Sequence, residues 1–254
     1  MSAILKNLSG RLGDFLRGLK LSEEAVRAGP QLGEDGILRA NGGWKPQAAR
    51  RRVEIMVTGD PSRVATVSDA VDDIQKEVFG SATKPENLEL RITAFLDGCI
   101  HRSKWNKKPF KAAAEARKWE CEQSKTRFAD AFADSHGELV DTLVIVGHRF
   151  DENIEEALKK AEELKQQGVR IHCFHTGKDE ASRAAYEKLA TETDGVFLQL
   201  TDQSSIANVI PIIMAHENDE RALLALNPKG NEAKKLMSML MPDRPATLEA
   251  PDED

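Results

Sequence analysis

Between Leu139 and Leu200 the chain reads LVDTLVIVGHRFDENIEEALKKAEELKQQGVRIHCFHTGKDEASRAAYEKLATETDGVFLQL. Strand-like and helix-like patterns alternate here with short connections. Leu143, Val144, Ile145 and Val146 form an unbroken apolar run, as a strand buried on both faces requires. The next segment puts Ile154, Leu158, Ala161 and Leu164 on one helical face, and pairs Glu155 with Lys159 and Glu156 with Lys160 on the other. Gly168 stops that helix. Residues 169–174 and 196–200 predict two further strands, with a helix between them. Such alternation needs a parallel sheet covered on both faces. Sheets of this kind bind ligands beyond the carboxyl ends of their strands.

The same pattern extends upstream. Residues 53–58 predict a strand. Residues 62–79 predict a helix carrying Val64, Val67, Val71, Ile74 and Val78 at 3-4-3-4 spacing. Residues 88–95 alternate Leu88, Leu90, Ile92 and Ala94 as a strand does. Residues 99–105 suit a short antiparallel edge strand. Residues 109–120, 126–135 and 204–216 suit helices. The expected fold class is α/β, a doubly wound, mostly parallel six-stranded sheet with helices on both faces. Five parallel strands (53–58, 88–95, 139–146, 169–175 and 195–200) are expected, with 53–58 central and beside 139–146.

The flanks differ from this core, and the chain divides into residues 1–52, 53–217 and 218–254. Residues 3–20 form an amphipathic pattern with Leu5, Leu8, Leu12, Phe15, Leu16 and Leu19 on one side and basic residues on the other. That helix could pack on the domain, dock a partner or touch a membrane surface. Residues 29–52 read as a linker arm, with Arg50, Arg51 and Arg52 as a solvated lead-in to the first strand. The tail carries helical patterns at 220–226 and 232–240. The second holds a cluster of Leu236, Met237, Met239, Leu240 and Met241, suited either to capping the domain or to adaptable docking. The acidic end, 248–254, is expected to be disordered.

A formal net charge of −6 argues against broad nucleic-acid binding. No apolar run reaches the roughly 20 residues of a membrane span, and Lys6, Arg11 and Asp14 interrupt any signal-peptide core. Cys99, Cys121 and Cys173 have no metal-like spacing and suggest reduced thiols in a cytoplasmic setting.

Taken in order, VEIMVTGDPSR, LRITAFLDG, SKTRFADAFADS, LVDTLVIVGHRFDEN, GVRIHCFHTGKD and DGVFLQLTD resemble the successive segments of a von Willebrand factor A (VWA) domain. The resemblance implies a metal-ion-dependent adhesion site, whose five ligand positions fall on Thr58, Asp60, Ser62, Thr126 and His148. The family carries Asp, Ser, Ser, Thr and Asp there, so only Ser62 and Thr126 match. Magnesium needs hard oxygen ligands with carboxylate charge, and Asp60 is the one carboxylate left. Asp97 and Asp151 stand in neighbouring turns, and histidine prefers softer metals. The expectation is therefore no resident cofactor and weak or absent Mg²⁺ binding. Any divalent cation would take Asp60, Ser62 and Thr126 as its ligands.

Simpler roles exist for the same residues. Asp60 and Ser62 suit the N-terminus of the following helix, Thr126 suits the cap of the helix it starts, and His148 suits a polar strand end. His172 and His175 fall on opposite faces of one strand and make no metal pair. His101, Arg102, Lys104, Trp105, Lys107 and Lys108 read as a solvated basic edge, or as a contact for phosphate or an acidic partner.

Neither a Gly-rich phosphate loop nor a G-x-S-x-G elbow is present. An enzyme is therefore not expected, although Asp60, Thr126 and His148 could support acid–base chemistry in a hydrolase-type site. The leading expectation is a cytoplasmic adaptor or scaffold. It would grip a protein partner through the rim formed by Thr58, Asp60, Ser62, Asp97, Thr126, His148 and Asp151. The resemblance extends to adaptors that act beside AAA+ ATPases, which makes such a partner admissible. The alternative is a structural subunit that docks through its terminal helices. Replacing Asp60 and His148 by alanine is expected to weaken partner binding with little change in melting temperature.

Overall fold

Alternating side chains send each buried strand's residues to two different cores. The computed structural model describes residues 31–32, 38–39, 51–58, 61–77, 88–96, 98–119, 125–218, 223, 226 and 228–241. The helix expected at 3–20, Asp60, Asp97, Cys121 and the acidic end lie outside the described residues. The chain divides into two units, residues 1–50 and 51–254. In the first, β1 (Gln31–Leu32) and β2 (Leu38–Arg39) pair antiparallel.

The second unit holds β3 (Arg51–Val57), α1 (Pro61–Glu77), β4 (Leu88–Leu96), β5 (Cys99–Arg102), α2 (Pro109–Ala116) and α3 (Phe128–His136). There follow β6 (Thr142–Gly147), α4 (Ile154–Gln166), β7 (Arg170–His175), α5 (Glu180–Glu192), β8 (Phe197–Gln199), α6 (Ile206–Asn218) and α7 (Asn231–Leu240). The sheet order is β5-β4-β3-β6-β7-β8. All its pairings are parallel except β4 with β5. β3 is thus central and beside β6, as expected from the sequence.

Val144 and Val146 join Val53, Ile55 and Val57 in a core under α1, α2, α6 and α7. Leu143 and Ile145 join Met56, Ile171 and Cys173 in a second core under α3, α4 and α5. The apolar run at 143–146 therefore feeds both faces. Val64, Val67 and Val71 of α1 are buried in the first core. The side chains of Ile74 and Val78 lie outside the described residues. Asn153 and Asp179 cap α4 and α5, accepting from Glu155 N at 2.9 Å and Ser182 N at 2.8 Å.

Several boundaries differ from expectation, each for a local reason. The strand expected from 139 begins at Thr142, because Leu139 is exposed and takes a left-handed φ of 54° in the preceding turn. The edge strand ends at Arg102, and one isolated bridge, Leu90 with Asn106, continues it. Arg51 is exposed and Arg52 half-buried, but neither is a lead-in. They open β3, and Arg51 pairs with Glu217 while Arg52 pairs with Glu89. Arg102 and Trp105 are not a solvated edge either. Arg102 pairs with Asp134 at 2.9 Å, and the Trp105 indole donates to Glu138 at 2.8 Å. In the tail, α7 buries Ala233, Leu236 and Met237 against the first core, so this helix caps the domain. Of the 220–226 pattern only Leu223 and Leu226 are described, and Leu223 is buried in the same core. Cys99 and Cys173 are free thiols. Among the described residues no helix is long and apolar enough to cross a membrane.

Candidate functional site

β3 leads into α1 on one face of the sheet, and β6 leads into α4 on the other. The two connections part at the carboxyl edge, the place where open α/β sheets form crevices. Thr58, Ser62, Thr126, His148 and Asp151 all stand on the segments that leave or border these strand ends.

Thr58 continues the ladder, its N–H donating to Val146 O at 2.9 Å. Its hydroxyl turns inward and lies 3.2 Å from the Tyr186 hydroxyl. Tyr186 donates to Arg149 O at 2.7 Å. A phenol has one proton, so Thr58 is the donor to Tyr186. Burial pushes the Tyr186 phenol up, against the Thr58 hydrogen bond. This chain of bonds fixes the identity of Gly147, because a Cβ there would overlap both Thr58 Oγ1 and Tyr186 Oη. Gly147→Ala is expected to cost about 1–3 kcal/mol through overpacking, read by denaturant unfolding. A stability unchanged within error would show that these side chains can give way.

Arg63 is the residue that sequence reasoning missed. It belongs to the first turn of α1 and is only 7% exposed. Its Nη1 donates to Thr58 O at 2.9 Å and meets His148 Nδ1 at 3.0 Å. A guanidinium only donates, so Nδ1 of His148 is the acceptor and carries no proton. His148 is held from below as well, its carbonyl 3.1 Å from His175 Nε2. The Gly177 position is equally crowded, since a Cβ there would lie 2.7 Å from His175 Nε2. A signal for Arg63 existed. A cation in a helix's first turn opposes the macrodipole and needs a compensating contact. Tyr186, the chain's one tyrosine, was also available to notice.

The loop after β6 is cross-braced. The Asp151 N–H donates to Thr126 Oγ1 at 3.0 Å. Thr126 therefore does not cap α3, whose N-cap position is Arg127. Glu152 reaches across to do that work, accepting from Phe128 N at 2.5 Å and Ala129 N at 3.2 Å. Burial pushes the Glu152 carboxyl up despite those two bonds. Phe150 N donates to Ser182 Oγ at 2.9 Å, and its ring stacks on Phe128 at 5.3 Å. Ser62 is exposed and lies within the first turn of α1, not at its cap. Pro61 opens that helix, where its missing N–H costs nothing. Lys125, Arg127, Arg149 and Lys178 are exposed around this edge, with Arg127 paired to Asp130 and Arg149 to Asp151.

The described donors do not suit magnesium. The Thr58 hydroxyl is committed to Tyr186, and His148 Nδ1 to Arg63. The Arg63 guanidinium touches residues at two of the five carried-over ligand positions. Among the described residues no group of three or more His, Cys, Asp or Glu side chains is placed to hold a metal ion.

No protein-family model and no curated protein matches the chain. Solved structures do match. The vWF domain of the type V pili tip protein Mfa5 from Porphyromonas gingivalis is 9% identical, with 68% of this chain and 97% of that chain covered at a TM-score of 0.52. The SpRpn10 VWA domain is 11% identical, with 63% and 95% covered at a TM-score of 0.48. The TFIIH p34 N-terminal domain is 9% identical, with 64% and 97% covered at 0.44. At such identities the likeness concerns the fold alone, and the Mfa5 comparison carries it.

Proposed function

We propose that this chain, whose fold is that of a VWA domain, is a protein-interaction module that grips a protein partner at the carboxyl edge of its sheet. The observation that carries this reading is the cross-bracing of the two parting segments. Thr58, Arg63, His148, Thr126, Asp151 and Tyr186 lock one another into a fixed polar rim. A preformed rim loses little freedom on association, which is what recognition needs. Its role is that of an adaptor or scaffold in the cytoplasm, without catalysis of its own. Of the expected contact set we assign Asp60, Ser62, Asp97, His148 and Asp151 to the partner, while the buried Thr58 and Thr126 support the rim from within. An AAA+ ATPase or another assembly subunit is the kind of partner that fits the fold's use elsewhere. The competing picture, docking through the terminal helices, loses one of its arms because α7 buries its apolar face on the domain.

The structure changes how the rim should be tested. His148→Ala would leave the buried Arg63 Nη1 short of an acceptor, at a cost of about 1–3 kcal/mol. It is therefore a poor surface probe. Lys125→Glu with Lys178→Glu is cleaner, because both side chains are exposed. A photo-crosslinking residue at Arg149 should trap a discrete partner in cells, and one at the exposed Glu192, at the sheet's other end, should not. The double charge reversal should lower capture roughly tenfold through lost electrostatic complementarity. Equal capture from both positions, or capture indifferent to the reversal, would move the interface away from this edge.

A further inference from the structure

We infer that Arg63 is the resident cation of this crevice, standing where the fold's usual divalent ion would bring positive charge, so that the rim engages its partner without metal. The inference rests on the reading of the rim as the partner site and specifies how that site works.

Three observations support it. The guanidinium lies between the first and last of the carried-over ligand positions, bonded to Thr58 O at 2.9 Å and to His148 Nδ1 at 3.0 Å. It is built in, since Arg63 is 7% exposed and rooted in the first turn of α1. The residues that would otherwise ligate an ion are turned to other work. The Thr58 hydroxyl serves Tyr186, and Thr126 Oγ1 receives the Asp151 N–H.

The chemistry follows from charge and donor type. An arginine remains protonated throughout the accessible pH range. A divalent cation entering here would meet a like charge at short range in a poorly solvated place. It could reach His148 Nδ1 only by displacing the guanidinium, which would strand Thr58 O as well. With threonine and histidine at the first and last positions, the guanidinium supplies the charge there and the chain supplies its acceptors. Those acceptors are a backbone carbonyl and an imidazole nitrogen.

The test uses the full chain and Mn²⁺ alone as the first probe. Calorimetry and Mn²⁺ electron paramagnetic resonance should show no saturable binding to the wild type at micromolar concentrations. Arg63→Lys keeps a cation and should behave likewise. Arg63→Ala should lose partner crosslinking from position 149 while a folded circular-dichroism spectrum persists. If that variant does not fold, the wild-type and Arg63→Lys titrations still decide the question. Partner crosslinking by the wild type should be unaffected by EDTA. Saturable micromolar Mn²⁺ binding by the wild type overturns the inference, as does crosslinking abolished by EDTA and restored by Mg²⁺. Either result leaves the rim as the partner site, whereas crosslinking indifferent to the Lys125 and Lys178 reversal defeats that reading itself.

Discussion

Glu217→Gln is expected to destabilise the domain by about 3 kcal/mol, since removing one partner from a buried charge cluster strands the others. Glu217 stands in the last turn of α6 with its side chain 2% exposed. Its Oε1 lies 3.0 Å from Arg170 Nη2, 3.2 Å from His216 Nδ1 and 3.8 Å from His172 Nε2. Arg51 Nη1 adds a bond to its carbonyl at 3.0 Å and reaches Oε2 at 3.5 Å. The carboxylate therefore ties α6 to the amino-terminal ends of β3 and β7. Arg51 and Arg170 are partly exposed and can recover water, which keeps the loss near the lower end of the range for buried pairs. A domain of this size should lose roughly 6–12 °C in Tm. Glu192→Gln is the control. That acid also lies in a last helical turn, but it is exposed, so its loss should stay within about 0.5 kcal/mol.

The same cluster predicts the direction of pH sensitivity. Burial opposes ionisation of Glu217, but His172, His216 and Arg170 outweigh it and hold the carboxyl well below its ordinary 4.5. Its contribution is present above pH 4.5 and is lost as pH falls from there toward the folded value. Burial also lowers His172 from its ordinary 6.5. Its Nδ1 accepts from Val196 N at 3.1 Å, so the neutral ring keeps its proton on Nε2, facing Glu217. The unfolded ring takes up a proton that the folded ring resists, so stability begins to fall below pH 6.5. Wild type should lose stability in both windows. The difference between wild type and Glu217→Gln should shrink only below pH 4.5. Curves that remain parallel below that pH would show that Glu217 is not the linked group.

These clusters explain which parts of the molecule could be read from sequence. The apolar run at 143–146 and the alternation at 88–96 specify buried strands, and their order specifies a doubly wound sheet. Periodicity also counts every charged residue as facing solvent, and here that rule fails. Arg51, Arg52, Glu54, Arg91 and Glu217 all make contacts that depend on strand register or on a distant helix end, which no local pattern carries. A usable trace remained at two places. Arg63 in a first turn and Glu217 in a last turn both oppose the helix macrodipole, and both turned out to hold long-range contacts. At the rim, sequence brought Thr58, Thr126, His148 and Asp151 to one sheet edge without saying what each does. Thr126 binds the Asp151 N–H instead of capping α3 because Glu152, far ahead in the chain, already holds that helix end.

Glu54→Leu is expected to cost about 3–5 kcal/mol, and the double variant Glu54→Leu with Arg91→Leu far less than the sum of the two single changes. Glu54 and Arg91 are direct register partners in β3 and β4, both within the second face of the sheet. Glu54 is fully buried. It accepts from Arg91 Nη2 at 2.8 Å, Thr93 Oγ1 at 2.6 Å and Ser135 Oγ at 2.8 Å, with Arg102 Nε at 3.5 Å. Arg91 also bonds Glu138, and its guanidinium lies 4.4 Å from the Trp105 ring centre. Burial alone would raise the Glu138 carboxyl, but Trp105 and Arg91 hold it below its ordinary value. Removing Glu54 alone leaves Arg91 charged in a site only 3% open to water. Removing both replaces two desolvated charges by apolar volume on the sheet face that also carries Met56 and Phe95. Arg102 keeps Asp134 at 2.9 Å, so the double change does not strand it. Urea unfolding of the two single variants and the double completes the cycle. Strict additivity would show that the two side chains act independently, and that α3 is held over β3 and β4 by packing instead of by this ion pair.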